Sequence, residues 1–159
     1  MRTALALLVL MAGAAPALAA PEGAGQPAAL ESLHSAFKAI CLDHLNDPDA
    51  QLAAAKSAPF EAEELPTRED GTIRLHSGGM VIIVRDQPKL IYCGVGGPID
   101  GALDLEAGQA LLEPTAGAPS KQDGTRLFWE NGKVHFAFIG NTAADGQAFV
   151  LFASGLDRD

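Results

Sequence analysis

The stretch RLFWENGKVHFAFI, residues 126–139, decides the fold class. Two runs rich in aromatic and β-branched residues, Arg126–Glu130 and Lys133–Ile139, flank Asn131-Gly132. Asn-Gly between such runs is the leading short-range sign of a β-hairpin, because both residues tolerate the positive φ that a tight turn demands. Downstream, Asn141–Gly146 is a longer turn, and QAFVLFA, residues 147–153, reads as the last strand. The polar tail from Ser154 is expected to fray. Upstream, Met80–Arg85 (MVIIVR) is a compact β-branched strand, with TIRLH (72–76) before it and LIYC (90–93) after it. Gly94–Pro98 (GVGGP) reads as a tight loop, Asp100–Leu112 as a short helix weakened by Gly108, and Glu113–Gly124 as loop.

Further toward the N-terminus the apolar period changes from two to about 3.6. Leu30, Leu33, Phe37, Ile40 and Leu45 recur at helical spacing, with Cys41 on the same face as Phe37. This predicts a helix over Ala28–Leu45. Asp47 can cap a second helix with Pro48 in its first turn, running to Ser57 and stopping before Pro59. Helices first and strands later give an α+β fold: N-terminal helices packed on an antiparallel sheet of five or six strands.

The strands are apolar on both sides. Val134, Phe136 and Phe138 oppose Ala137 and Ile139; Ala148, Val150 and Phe152 oppose Phe149 and Leu151; Met80, Ile82 and Val84 oppose Val81 and Ile83. A sheet with one wet face should alternate cleanly, so both faces are expected to be covered. The N-terminal helices can cover one. The other falls to the 100–112 segment, to long loops, or to a second copy of the chain; a strand sandwiched within one domain is the simpler expectation, a homodimer the other.

Residues 1–19 have the layout of a cleavable export signal: Arg2, an apolar run from Ala4 to Gly13, Pro16, and Ala17-Leu18-Ala19 before the cut. The run before Pro16 is too short for a membrane anchor. The expectation is one globular domain over residues 20–159, in the periplasm or secreted. Without Arg2, 10 Lys and Arg remain against 20 Asp and Glu, a net charge of −10. Such a surface repels nucleic acid and anionic lipid, and suits a basic protein partner. An even pair of cysteines in an oxidising compartment predicts a Cys41–Cys93 disulfide.

No motif names an activity. Ser35-Ala36-Phe37-Lys38 matches Ser-x-x-Lys, but the accompanying Ser-Asp-Asn and Lys-Thr-Gly are missing and Phe37 belongs to the core stripe. Gly94-Val95-Gly96-Gly97 lacks the third glycine and the lysine of phosphate-cradling loops. His34 lies too far along its helix from Cys41 to share an ion with it; Cys41 and His44, helped by Asp43 or Asp47, could meet, but a closed zinc site wants four nitrogen or sulfur donors. Asp43, Asp47 and Asp49 lack the order of a calcium loop. The leading expectation is therefore a non-enzymatic binding or accessory protein with no cofactor. The alternative is a small secreted hydrolase or metal-dependent enzyme using His44, His135 and nearby carboxylates such as Asp43.

Overall fold

The computed structural model describes residues 27–159; the export signal expected over residues 1–19 lies outside the described residues. The first helix, α1 (Leu30–Phe37), widens into a π turn at Lys38–Leu42, where the Asp43 amide donates to the Lys38 carbonyl at 2.9 Å. Leu33, Phe37, Ile40 and Cys41 are all buried there. The helix predicted as one piece to Leu45 thus ends at the π turn. Next comes α2 (Pro48–Lys56), capped as expected: the Asp47 carboxylate accepts from the Ala50 amide at 2.9 Å.

Eight strands follow: β1 (Glu63–Glu64), β2 (Ile73–Ser77), β3 (Met80–Gln87), β4 (Leu90–Ile99), β5 (Lys121–Asp123), β6 (Arg126–Asn131), β7 (Val134–Thr142) and β8 (Ala148–Asp157). They form one antiparallel sheet in the order β1-β2-β3-β4-β8-β7-β6-β5. Two four-strand meanders therefore meet where β4 pairs with β8. Both edges of the sheet are short and charged, which discourages edge-to-edge association. A third helix, α3 (Leu105–Ala116), links β4 to β5.

The architecture is α+β, as expected, but several predicted details change. The sheet has eight strands rather than five or six, and the helices are not all N-terminal, the one expected from Asp100 lying between β4 and β5. Gly94–Pro98 is not a loop; β4 runs straight through it, paired with β3 and β8. Glycine is required there by neighbours: a Cβ on Gly96 would strike the Val150 carbonyl oxygen and crowd the Leu151 side chain. The hairpin turn is Gly132-Lys133 rather than Asn131-Gly132. Asn131 stays in the ladder while its Nδ2 donates to the Ala116 carbonyl at 3.0 Å, and Gly132 takes φ 66°, the first position of a II′-type turn. The tail does not fray at Ser154, because β8 continues to Asp157 between β4 and β7.

α3 starts later and ends later than predicted. Asp104 caps it, accepting from the Ala107 amide at 3.0 Å, and Pro114 sits in its last turns, where a missing N–H forfeits one bond. Gly108, a poor helix former, is the contact point. A Cβ there would lie 2.5 Å from the Phe138 ring, so the helix seats on the sheet only with glycine.

Alternation fixes the faces. Cys93 is joined to Cys41 of the helix layer, with Cα atoms 5.5 Å apart. Its register partners Val84 and Ser154 share that face, and Val95, Phe152 and Phe138 follow by the same parity. Phe37 of α1 stacks on Phe152 at 5.9 Å, and Gly108 of α3 meets Phe138. The core lies between this face and the helices, and α3 covers the same side as α1. It does not cover the other face, as the sandwich expectation required.

Candidate functional site

The residues alternating with Cys93 point away from the helices. Across the strands, Ile83, Gly94, Ala153, Ala137 and Phe128 lie in one row. One step along the strands toward Ile99 of β4 lie Val81, Gly96, Leu151, Ile139 and Arg126. One step the other way lie Arg85, Tyr92, Gly155, His135 and Glu130. Val81 and Phe149 are 39% and 40% exposed, high values for large apolar side chains on a sheet. Among the described residues no helix lies over this face; at one corner Asp70, from the loop before β2, bonds Arg85 Nη2 at 2.9 Å.

Part of it is a hollow of about 280 Å³, bounded by Leu90, Tyr92, Phe128, His135 and Asp157. Its floor is Gly155, Ala153 and Ala137, where small side chains on adjacent strands leave room. At its rim His135 Nε2 lies 2.9 Å from Asp157 Oδ2. Burial pushes the Tyr92 phenol above its ordinary value, so it remains a neutral hydroxyl at neutral pH. A second imidazole on the same face, His76, faces Glu63 at 3.4 Å.

The structure does not gather the candidates read from the sequence. Cys41 and Cys93 are consumed in the disulfide. Asp43 accepts from Lys38 Nζ at 2.8 Å. That bond also takes the lysine of Ser35-Ala36-Phe37-Lys38. His44 follows the π turn, in the helix layer, where its carbonyl accepts from Gln51 Nε2 at 3.0 Å. His135 is on the opposite side of the sheet, so His44 and His135 share no site. Among the described residues no three His, Cys, Asp or Glu side chains group as metal ligands. Asp157 and Tyr92 were missed by sequence reasoning. Asp157 fell in the supposed fraying tail; the signal that could have found it is Leu156, which extends the apolar alternation of the last strand.

A His–Asp pair can move a proton, but nucleophilic catalysis also needs a hydroxyl or thiol in hydrogen-bond reach of the imidazole. Among the described residues His135 bonds to Asp157 and no such nucleophile is bonded to it. Beside that hollow the same face holds another of about 320 Å³, bounded by Lys121, Phe128, Glu130 and His135.

In the helix layer, His34 packs its ring on Phe152 at 5.4 Å, with Nε2 buried and unbonded. Burial, and then the Lys38 charge, hold its imidazole below the ordinary value of about 6.5. The folded protein therefore binds this proton less well than the unfolded chain. The stability this gives is fully present above about pH 6.5 and is lost as pH falls through the folded value. Urea titrations at pH 7.5 and pH 5 should show wild type losing more stability on acidification than His34→Leu. Equal losses in the two proteins would remove His34 from the acid response.

Compared with family models, with curated proteins and with solved structures, the chain finds no match.

Proposed function

We propose that this chain is an exported, non-enzymatic binding or accessory protein of the periplasm or exterior that recognises a basic protein partner. The observation that carries the reading is the charge left over after pairing. Lys38, Lys56, Arg85 and Arg158 are each held by a carboxylate of the same chain, at Asp43, Glu64, Asp70 and Asp86. The acids are in excess, and α3 with its cap carries Asp104, Glu106 and Glu113 without one Lys or Arg. An outward acidic helix of this kind steers and orients a cationic partner. The disulfide supports a compartment where thiols oxidise, and no described helix is long and apolar enough to cross a membrane.

Capture of partners from periplasmic extract tests this. The expected result is a basic protein retained at low salt and released at about 0.5 M salt, where screening shortens the Debye length to a few ångströms. Glu106→Lys with Glu113→Lys should cut its retention about tenfold. Retention indifferent to both changes would sink the reading. The His135–Asp157 pair beside the hollow favours a second reading, a small hydrolase; turnover of chromogenic esters that disappears in His135→Ala would support it instead.

A further inference from the structure

We propose that the hollow beside His135 and Asp157 is a binding site for a small organic cation, an arylalkyl ammonium ion whose charge sits over Gly155 and whose apolar body lies on Ala153 and Ala137. The first mark of the site is Gly155 itself. It lies inside β8 with Tyr92 and His135 as its register partners, and its φ is not positive. A Cβ there would meet nothing closer than Leu90 Cδ1 at 3.4 Å, an ordinary contact. Gly94 and Gly96 in the neighbouring strand differ, since a Cβ on either would crowd the Leu151 side chain. Neither backbone nor packing therefore demands glycine at 155, and glycine inside a strand costs stability. What its bareness provides is the depth of the hollow, where a ligand can come close to the backbone of β8.

Shape and charge then select the ligand. Tyr92 on β4 and Phe128 on β6 stand three strand spacings apart, roughly 14 Å, with the small floor residues of β8 and β7 between them. At about 280 Å³ the hollow falls near the lower end of ligand pockets, which run from roughly 300 Å³ upward. That is room for one ring and a short chain. The charged group at its edge is a carboxylate. Asp157 accepts from His135 Nε2 through Oδ2, and no described residue bonds to its Oδ1. Of the cations at this end of the sheet, Lys133, Arg158 and Arg85 are already held by Asp159, Asp86 and Asp70, and Lys89 in the β3–β4 turn reaches no described carboxylate. Lys121 is farther off and shares the second hollow with Glu130. The Asp157 charge is thus left for a ligand. An ammonium over Gly155 meets it together with the Tyr92 ring, and an aromatic ring beside an anion draws organic cations out of water. A carboxylate ligand meets the reverse: Asp157 at the hollow, and 20 Asp and Glu against 10 Lys and Arg in the chain without Arg2.

The test is an amide chemical-shift titration of the chain, expressed with its own N-terminal segment, against phenethylammonium, phenethyl alcohol, phenylpropionate and acetyl-lysinamide. The ammonium should give saturable shifts at Gly155, Ala153 and Ala137 with a Kd of about 1 mM or below. It should bind about tenfold or more tighter than the alcohol. Asp157→Asn, which can still accept from His135, should bring the ammonium to within about threefold of the alcohol and leave the alcohol unchanged. Gly155→Ala should weaken the ammonium about fivefold or more while keeping or raising the urea midpoint, a split that a purely structural glycine would not give. No saturation by about 10 mM overturns the proposal. So does an alcohol or a propionate bound as tightly as the ammonium, or an ammonium affinity unchanged in either variant. Acetyl-lysinamide bound as tightly as phenethylammonium overturns it too, and gives the hollow to a lysine side chain of a partner. Neither α3 nor a partner extract enters this experiment, so its failure leaves the recognition of a basic protein by α3 standing.

Discussion

Truncation of Trp129 to alanine is expected to lower the unfolding free energy by about 3–5 kcal/mol, the usual cost of emptying a large aromatic site in a core. Trp129, the chain's one tryptophan, is wholly buried on the helix-facing side of β6. Its indole also does polar work: Nε1 donates to the Gly117 carbonyl at 2.8 Å, at the end of α3. The last carbonyls of a helix have no partner within it. Here the adjoining strand supplies them, with Asn131 Nδ2 reaching Ala116 one residue earlier. Trp129→Ala therefore leaves both a cavity and an unbonded carbonyl, and α3 should loosen before the rest. Trp129→Phe keeps most of the packing and loses the bond, at about 1–2 kcal/mol. Urea titration followed by far-ultraviolet circular dichroism measures both, since fluorescence disappears with the residue. A loss under about 1 kcal/mol for the alanine variant would mean that α3 is held by Gly108 on Phe138 and hardly at all by β6.

The same strand shows what was legible in the sequence. Aromatic and β-branched runs around Asn131-Gly132 announced the hairpin, because side-chain shape and turn chemistry act locally. The turn still slipped by one residue, because Asn131 bonds to Ala116 and that contact crosses from another element. Gly94–Pro98 was misread for a related reason. Glycine signals a turn when only the chain itself is considered, whereas here it makes room for Val150 and Leu151 of the neighbouring strand. Gly108 was read as a weakness in a helix and proved to be its seat on Phe138. Apolar residues on both faces of β3, β7 and β8 were visible from alternation alone. Which face the helices take was not, because that depends on where α3 returns. His135 could be singled out, but its neighbours Tyr92 and Asp157 come from strands some 40 and 20 residues away, and register is set by the whole sheet.

Replacing both cysteines, Cys41→Ala with Cys93→Ala, is expected to cost about 4 kcal/mol, the chain-entropy value for releasing a loop of some 50 residues. The two sulfurs are separated by 52 positions and are wholly buried, Cys41 in the π turn and Cys93 in a central strand. They tie the helix layer to the middle of the sheet, so without them the unfolded chain regains the freedom of a long loop. The two alanines add small cavities, so the measured loss should reach or pass that value rather than fall below it. Against a typical total of about 5–15 kcal/mol, a loss of this size leaves little margin at 37 °C. The same deficit should follow from making the chain where thiols stay reduced, and oxidation of that material should restore the urea midpoint. If reduced and oxidised protein unfold within about 1 kcal/mol of each other, the staple contributes little. The proposal that this chain works in an oxidising compartment would then rest on the sequence of residues 1–19 alone.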